Sequence, residues 1–229
     1  MIRAPESAAP GGHELRELNR EIVDCRACPR LVQWREQVAA EKRAAYCDQL
    51  YWGRPITGFG DIAARLLILG LAPAAHGANR TGREFTGDRS GDWLFRALHR
   101  AGYANQPTST GVGDGLRLLD AFVTAAVRCA PPANKPTPLE RNTCQPFLER
   151  ELRLLENLKV VVVLGQFAYD LASRVLVLDK RPKFGHMVET HSGPLSIVCS
   201  YHPSQQNTFT GKLTQAMFDE VFVRSRSLS

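Results

Sequence analysis

The feature that most constrains this chain is a set of four short apolar runs, at 66–69 (LLIL), 121–127 (AFVTAAV), 159–165 (KVVVVLG) and 195–200 (LSIVCS), with helically patterned segments between them. Unbroken apolar runs of this length read as strands buried on both faces, and parallel neighbours need crossover helices to join them. The expected fold class is therefore α/β, a three-layer α/β/α sandwich with a central four-stranded parallel sheet and right-handed crossovers. In such a sheet the strand ends of one polarity share an edge. The loops at 70–88, 128–136, 165–166 and 201–207 should meet there, where open α/β folds place their sites.

The connecting segments carry their own punctuation. Leu94, Ala97, Leu98 and Ala101 recur at helical spacing and stop at Gly102. Thr137-Pro138-Leu139-Glu140 combines a hydroxyl cap, a proline in the first turn and an acid three residues on, the signature of a capping box. Along that helix Cys144, Phe147, Leu148, Leu152 and Leu155 share an inward face. Leu15, Leu18, Ile22 and Cys25 predict a first helix, 34–51 a second with a solvated face and Cys47 half-buried, 176–194 a basic connection, and a last helix from about Lys212. With no internal repeat or linker, the expectation is a loose 1–14 segment and one domain over 15–229.

Charge and hydropathy narrow the class. A net charge of +6 without a long Lys/Arg block permits nucleic-acid binding through a folded patch. No apolar stretch approaches the ~18 to 20 residues of a membrane span, and the first dozen residues lack the apolar core of a signal peptide. A cytoplasmic, monomeric protein with no membrane contact is expected.

The six cysteines divide into two kinds. Cys25 and Cys28 form a C-x2-C followed by Pro29, whereas Cys129 lies just beyond a strand and Cys144 on the next helix. In a reducing compartment their spacing is read as ligand information. Four thiolates from two segments can close a tetrahedral zinc site or hold a [4Fe-4S] cluster. Cys199, inside an apolar strand, reads as a core residue. Phe85 reads either as a plug over the core or as a plate on which a base could stack. Asp88, ahead of the Ser90 helix, reads as a helix cap, as a site carboxylate, or as both. His202 follows the last strand and faces the Asp88 loop, while His13, His99, His186 and His191 read as surface.

Taken together, Cys25-Arg26-Ala27-Cys28-Pro29-Arg30-Leu31, Gly70-Leu71-Ala72-Pro73-Ala74-Ala75-His76-Gly77, Asn79-Arg80-Thr81-Gly82-Arg83, Phe85-Thr86-Gly87-Asp88, Arg128-Cys129-Ala130-Pro131-Pro132 and 202–207 resemble the uracil-DNA glycosylase superfamily. Within it they resemble the iron-sulfur branch called family 5, or type B. The resemblance implies a monofunctional base-excision repair enzyme that acts on DNA containing uracil or another deaminated base. Such an enzyme flips the base out and hydrolyses its N-glycosidic bond to leave an abasic site.

The resemblance also implies roles for particular residues. Asp88 and His202 become catalytic, and Ala74, His76, Gly77, Phe85 and Asn134 bind the base. Pro203, Ser204, Gln205, Gln206 and Asn207 form the loop that enters DNA, and Cys25, Cys28, Cys129 and Cys144 hold a [4Fe-4S] cluster. Two departures accompany it. Thr124-Ala125-Ala126 stands where family 4 has a base-reading Asn, leaving Thr124 a weaker candidate, and Ala74 and Ala75 replace the usual polar group of the first-strand loop. The first departure favours a permissive pocket, with uracil, hypoxanthine, xanthine and etheno-cytosine all open. The competing class is a nonenzymatic zinc or iron-sulfur nucleic-acid-binding module.

Overall fold

In a computed structural model, which describes residues 11–229, two helices precede any strand, α1 (Gly12–Asp24) and α2 (Pro29–Glu41). Pro29 sits in the first turn of α2, where a missing N–H costs nothing. There follow β1 (Phe59–Gly60), β2 (Leu66–Gly70), α3 (Ala78–Thr81), α4 (Arg89–Arg100), β3 (Ala121–Ala125), α5 (Pro138–Leu154) and β4 (Val160–Leu164). The chain ends with α6 (Gln166–Val175), β5 (Glu189–Ser192), β6 (Leu195–Ser200), α7 (Gln205–Phe209) and α8 (Gln215–Leu228).

The four apolar runs pair side by side and parallel, but the sheet they belong to has six strands, in the order β1-β3-β2-β4-β6-β5. The expected four-stranded sheet is thus extended by an antiparallel strand at each edge. Neither edge carries a strand pattern of its own. β1 is two residues held by its register with Val123 and Phe122, and β5 is the polar tetrad ETHS paired to β6.

Register divides the sheet into two apolar faces. Ile68, Val123, Val162 and Val198 align across the strands and pack under Leu94, Phe95 and Leu98 of α4 and Phe218, Val221 and Phe222 of α8. Leu67, Phe122, Val161 and Ile197 face the other way, onto Leu148 of α5 and Ala168, Tyr169 and Leu171 of α6. Three layers result, as expected.

Some boundaries differ from the sequence reading. α1 starts at Gly12, inside the segment expected to be loose, and residues 1–10 of that segment lie outside the described residues. The second helix stops at Glu41, where Lys42 takes φ 57°, so 43–51 follows the surface with one short 3-10 turn at Ala44–Tyr46, and Cys47 is exposed. α8 begins at Gln215, after Thr214 caps it by accepting from the Met217 N–H. Among the described residues no helix is long and apolar enough to cross a membrane.

Candidate active site

The loop leaving β2 is tied down at several points before it enters α4. Arg80 donates to the carbonyls of His76 and Gly87 and lies 4.0 Å over the Tyr46 ring. Arg83 pairs with Asp114 at 2.5 Å and donates to Ser109, fastening the loop to the 104–118 connection. These anchors hold Phe85 at φ 52°, an αL conformation that costs a non-glycine residue about 1 kcal/mol or more. A glycine at 91 is required there, since a Cβ would lie 1.7 Å from the Phe85 carbonyl oxygen. The Phe85 ring is buried in the core on one side and stacks on the His202 ring at 5.8 Å and 27°. The plug reading is what the packing shows, with the ring at the cleft wall beside His202.

Asp88 caps α4, accepting from the Gly91 N–H at 3.0 Å. Its second oxygen points back at Gly77, where a Cβ would sit 2.3 Å from it. The missing side chain at 77 therefore makes room for the carboxylate. The cap reading of Asp88 holds, and the cap occupies one oxygen of a group that also lines the cleft.

These residues open on a cleft of about 800 Å³ at the C-terminal edge of the parallel strands. Ala74, His76, Gly77, Phe85, Asp88, Asn134, His202, Ser204, Gln205 and Gln206 line it. Pro203 is buried, and the Asn207 side chain turns back to donate to the His202 carbonyl at 2.9 Å, so neither lines the cleft. Asn207 braces the loop while Ser204 caps α7. Thr124 is also excluded. It is fully buried and donates to Glu151, which with Arg128 forms a closed ion pair beneath the sheet edge.

Burial sets the charge states. Asp88 is pushed above the usual carboxylate range by desolvation, opposed by the Gly91 and Ser90 N–H groups. Desolvation pushes His202 down to about 4, so its imidazole is neutral at pH 7. His76 is lowered by burial and by Arg43 and Arg80, and its Nδ1 lies 3.0 Å from the Tyr51 hydroxyl.

The sequence reading missed several lining residues. Arg43, Tyr46, Arg89 and Lys135 also line the cleft, and the three cations among them give it basic groups that suit a phosphate backbone. Glu84 lies in the wall, 3% exposed, with its pKa raised to about 8 by desolvation and by the charge of Asp88. Only the adjacency of Glu84, Arg89 and Lys135 to assigned residues could have flagged any of these. His186, expected at the surface, is half-buried and stacks on Tyr201 at 5.4 Å.

A second, small cavity is lined by Cys25, Cys28, Cys129 and Cys144. Cys129 receives a hydrogen bond from the buried Arg35 guanidinium at 2.9 Å, and Cys144 one from the Arg128 backbone N–H at 3.3 Å. N–H donors aimed at sulfur stabilise thiolate ligands. Arg30, two residues after Cys28, forms a fork with Glu140 at 2.7 and 2.6 Å, fixing the C-x2-C turn against α5 and Cys144. Left as thiols, Cys129 and Cys144 are pushed up to about 11 and about 12 by burial. Among the described residues no group of three or more His, Cys, Asp or Glu has the arrangement of a single metal-ion site. The donor set and its N–H partners nonetheless fit a thiolate-held group. Cys199 is a buried core residue of β6.

Residues 57–224 match the model of the uracil DNA glycosylase superfamily. A type-5 uracil-DNA glycosylase of Mycobacterium leprae is 53% identical, over 96% of this chain and 97% of its own length. One from Mycobacterium tuberculosis is 55% identical over 96% of this chain and 84% of its own. A type-5 uracil-DNA glycosylase of Thermus thermophilus is 50% identical over 91% of this chain and 95% of its own.

Proposed function

The chain belongs to the uracil-DNA glycosylase superfamily, and from that premise we propose that it excises uracil from DNA, taking the flipped base into the cleft and hydrolysing its N-glycosidic bond. The observation that carries this reading is the convergence of Asp88, Phe85 and His202 on one cleft that basic groups also line. A base lying against Phe85 brings its sugar toward Asp88. Loss of an anionic base leaves an oxocarbenium-like sugar, which a nearby carboxylate stabilises by charge. The same group orients the attacking water and accepts its proton, and a raised pKa strengthens it as a base. The neutral His202 ring donates an N–H to the departing base, a contribution of about 3 to 4 kcal/mol for one well-placed donor. Ser204, Gln205 and Gln206 fill the gap in the duplex, and the reading takes the active unit to be a monomer.

The resemblance to the iron-sulfur branch, together with the four thiols around one cavity, supports a [4Fe-4S] cluster held by Cys25, Cys28, Cys129 and Cys144. When bound, its chemistry is structural, a cross-link from the α1–α2 junction to the end of β3 and to α5. A duplex with one central uracil tests the function: free uracil and an alkali-labile abasic site are expected, and an intact strand refutes the reading. Replacing uracil by hypoxanthine, xanthine or etheno-cytosine measures breadth. Iron and sulfide analysis tests the cluster, with about four of each per chain expected and both lost in Cys25→Ser; one zinc and no sulfide contradicts it.

A further inference from the structure

Glu84 is the buried acid that the fold does not use. The carboxylates of Glu140 and Glu151, equally buried, are each held by an arginine, Arg30 and Arg128 respectively. Glu84 Oε2 is shut off from solvent and has no hydrogen-bond partner, although its side chain lies in the wall of the cleft. Arg128, the one cation that acts on it, gives both terminal nitrogens to Glu151 and Thr124 and makes no hydrogen bond to Glu84. An unpaired carboxyl in a pocket wall, one residue before Phe85, needs a partner that the free protein does not supply.

We propose that Glu84 is the specificity-determining residue of this pocket, its carboxylic acid pairing through one donor and one acceptor with the –C(=O)–NH– lactam edge common to uracil, hypoxanthine and xanthine. The inference rests on the cleft being the base pocket. A neutral acid offers O–H and C=O side by side, which matches a carbonyl next to an N–H in a cyclic pair of hydrogen bonds. A carboxylate offers acceptors only and repels the carbonyl. The pairing also supplies the base-edge contact that Thr124, locked to Glu151, cannot make.

The charged groups that act on Glu84 keep it in the required form. Burial is the largest influence and Asp88 at the head of α4 adds to it, while Arg128 beyond β3 opposes both. The proton therefore resides on Glu84 at neutral pH. Base recognition is present below the folded pKa of about 8 and is lost as pH rises through it.

The test measures affinity for two duplexes, one carrying an uncleavable 2′-fluoro-2′-deoxyuridine and the other a tetrahydrofuran abasic-site analogue that has no base to read. Glu84→Leu should weaken the fluorouridine duplex about 10- to 100-fold and leave the tetrahydrofuran duplex unchanged. Glu84→Gln, which retains one donor and one acceptor, should bind both as the wild type does. As pH rises from about 7 to about 9 the wild type should lose more fluorouridine affinity than Glu84→Gln, which shares only the loss from ionisation of the base's own N3–H. Equal affinity of Glu84→Leu and wild type for fluorouridine overturns the inference, as does an equal loss on both duplexes, or a Glu84→Gln protein that loses as much affinity at high pH as the wild type. If the wild type itself cannot tell the two duplexes apart, the base-pocket reading fails before Glu84 is at issue.

Discussion

Asp88 is asked to do two things, and two substitutions separate them. Asparagine is as good a helix cap as aspartate, so Asp88→Asn keeps the acceptor for the Gly91 N–H while removing the charge. Alanine removes both. Loss of the cap costs about 1 kcal/mol, which for a chain of this size lowers Tm by about 2 to 4 °C. Loss of the charge facing the sugar costs about 3 to 4 kcal/mol of transition-state stabilisation, or a fall of about 10²- to 10³-fold in rate. Single-turnover excision from a uracil duplex and thermal unfolding should therefore diverge: both variants lose the rate, but only Asp88→Ala loses the Tm.

Stability against pH gives a further signature. The folded pKa of Asp88 is raised, so the native chain holds more protons than the unfolded one between about 3.9 and the folded value, and stability falls as pH rises through that window. Asp88→Asn lacks this dependence and should be at least as stable as the wild type at pH 7. Wild-type rates in Asp88→Asn with a lowered Tm in Asp88→Ala would leave Asp88 as a cap alone, and the mechanism would fall.

Other outcomes follow from the same geometry. His202→Ala should slow excision about 10²-fold, and because the ring is pushed down to about 4, the wild-type pH–rate profile should show no imidazole limb near the usual ~6.5. Gly77→Ala places a Cβ 2.3 Å from Asp88 Oδ2 and must shift it; an excision rate lower by about 10- to 100-fold is expected, and an unchanged rate contradicts the assigned position of the carboxylate. Asp114 is held well below the usual carboxylate range by Arg83 and by N–H donors from Thr110 and Leu116, opposed by burial. The stability it contributes is present above the unfolded pKa and lost as pH falls toward the folded one. Asp114→Asn should thus cost about 3 kcal/mol near neutrality and less as the wild type acidifies below pH ~4, read from denaturant unfolding at several pH values.

How much of this could be read in advance depended on whether local sequence or packing decided it. The runs at 66–69 and 159–165 carry the pattern of strands buried on both faces, and buried strands form at Leu66–Gly70 and Val160–Leu164. The capping box at Thr137 and Glu140 appears with both of its hydrogen bonds. β5 escaped notice because ETHS has no apolar alternation, and it forms because β6 presents an open edge beside it. The cleft loops were legible because strand polarity alone gathers them at one edge. Arg43 and Tyr46 were not, since no local pattern shows that the chain after α2 returns over the pocket. Glu84 was hard to see for a related reason: an acid in a polar loop reads as solvated, and only the packing of Phe85 and Asp88 buries it. Thr124 misled in the opposite direction, being on the right strand but bonded to Glu151.

The central claim is that the space bounded by Phe85, Asp88 and His202 receives an extrahelical base. A crystal structure of the wild-type protein with its product, abasic duplex plus free uracil, addresses it directly. The account predicts the uracil ring parallel to Phe85 with the Asp88 carboxylate at the anomeric carbon of the everted sugar. A duplex bound elsewhere on the surface, with this cleft filled only by water, contradicts it.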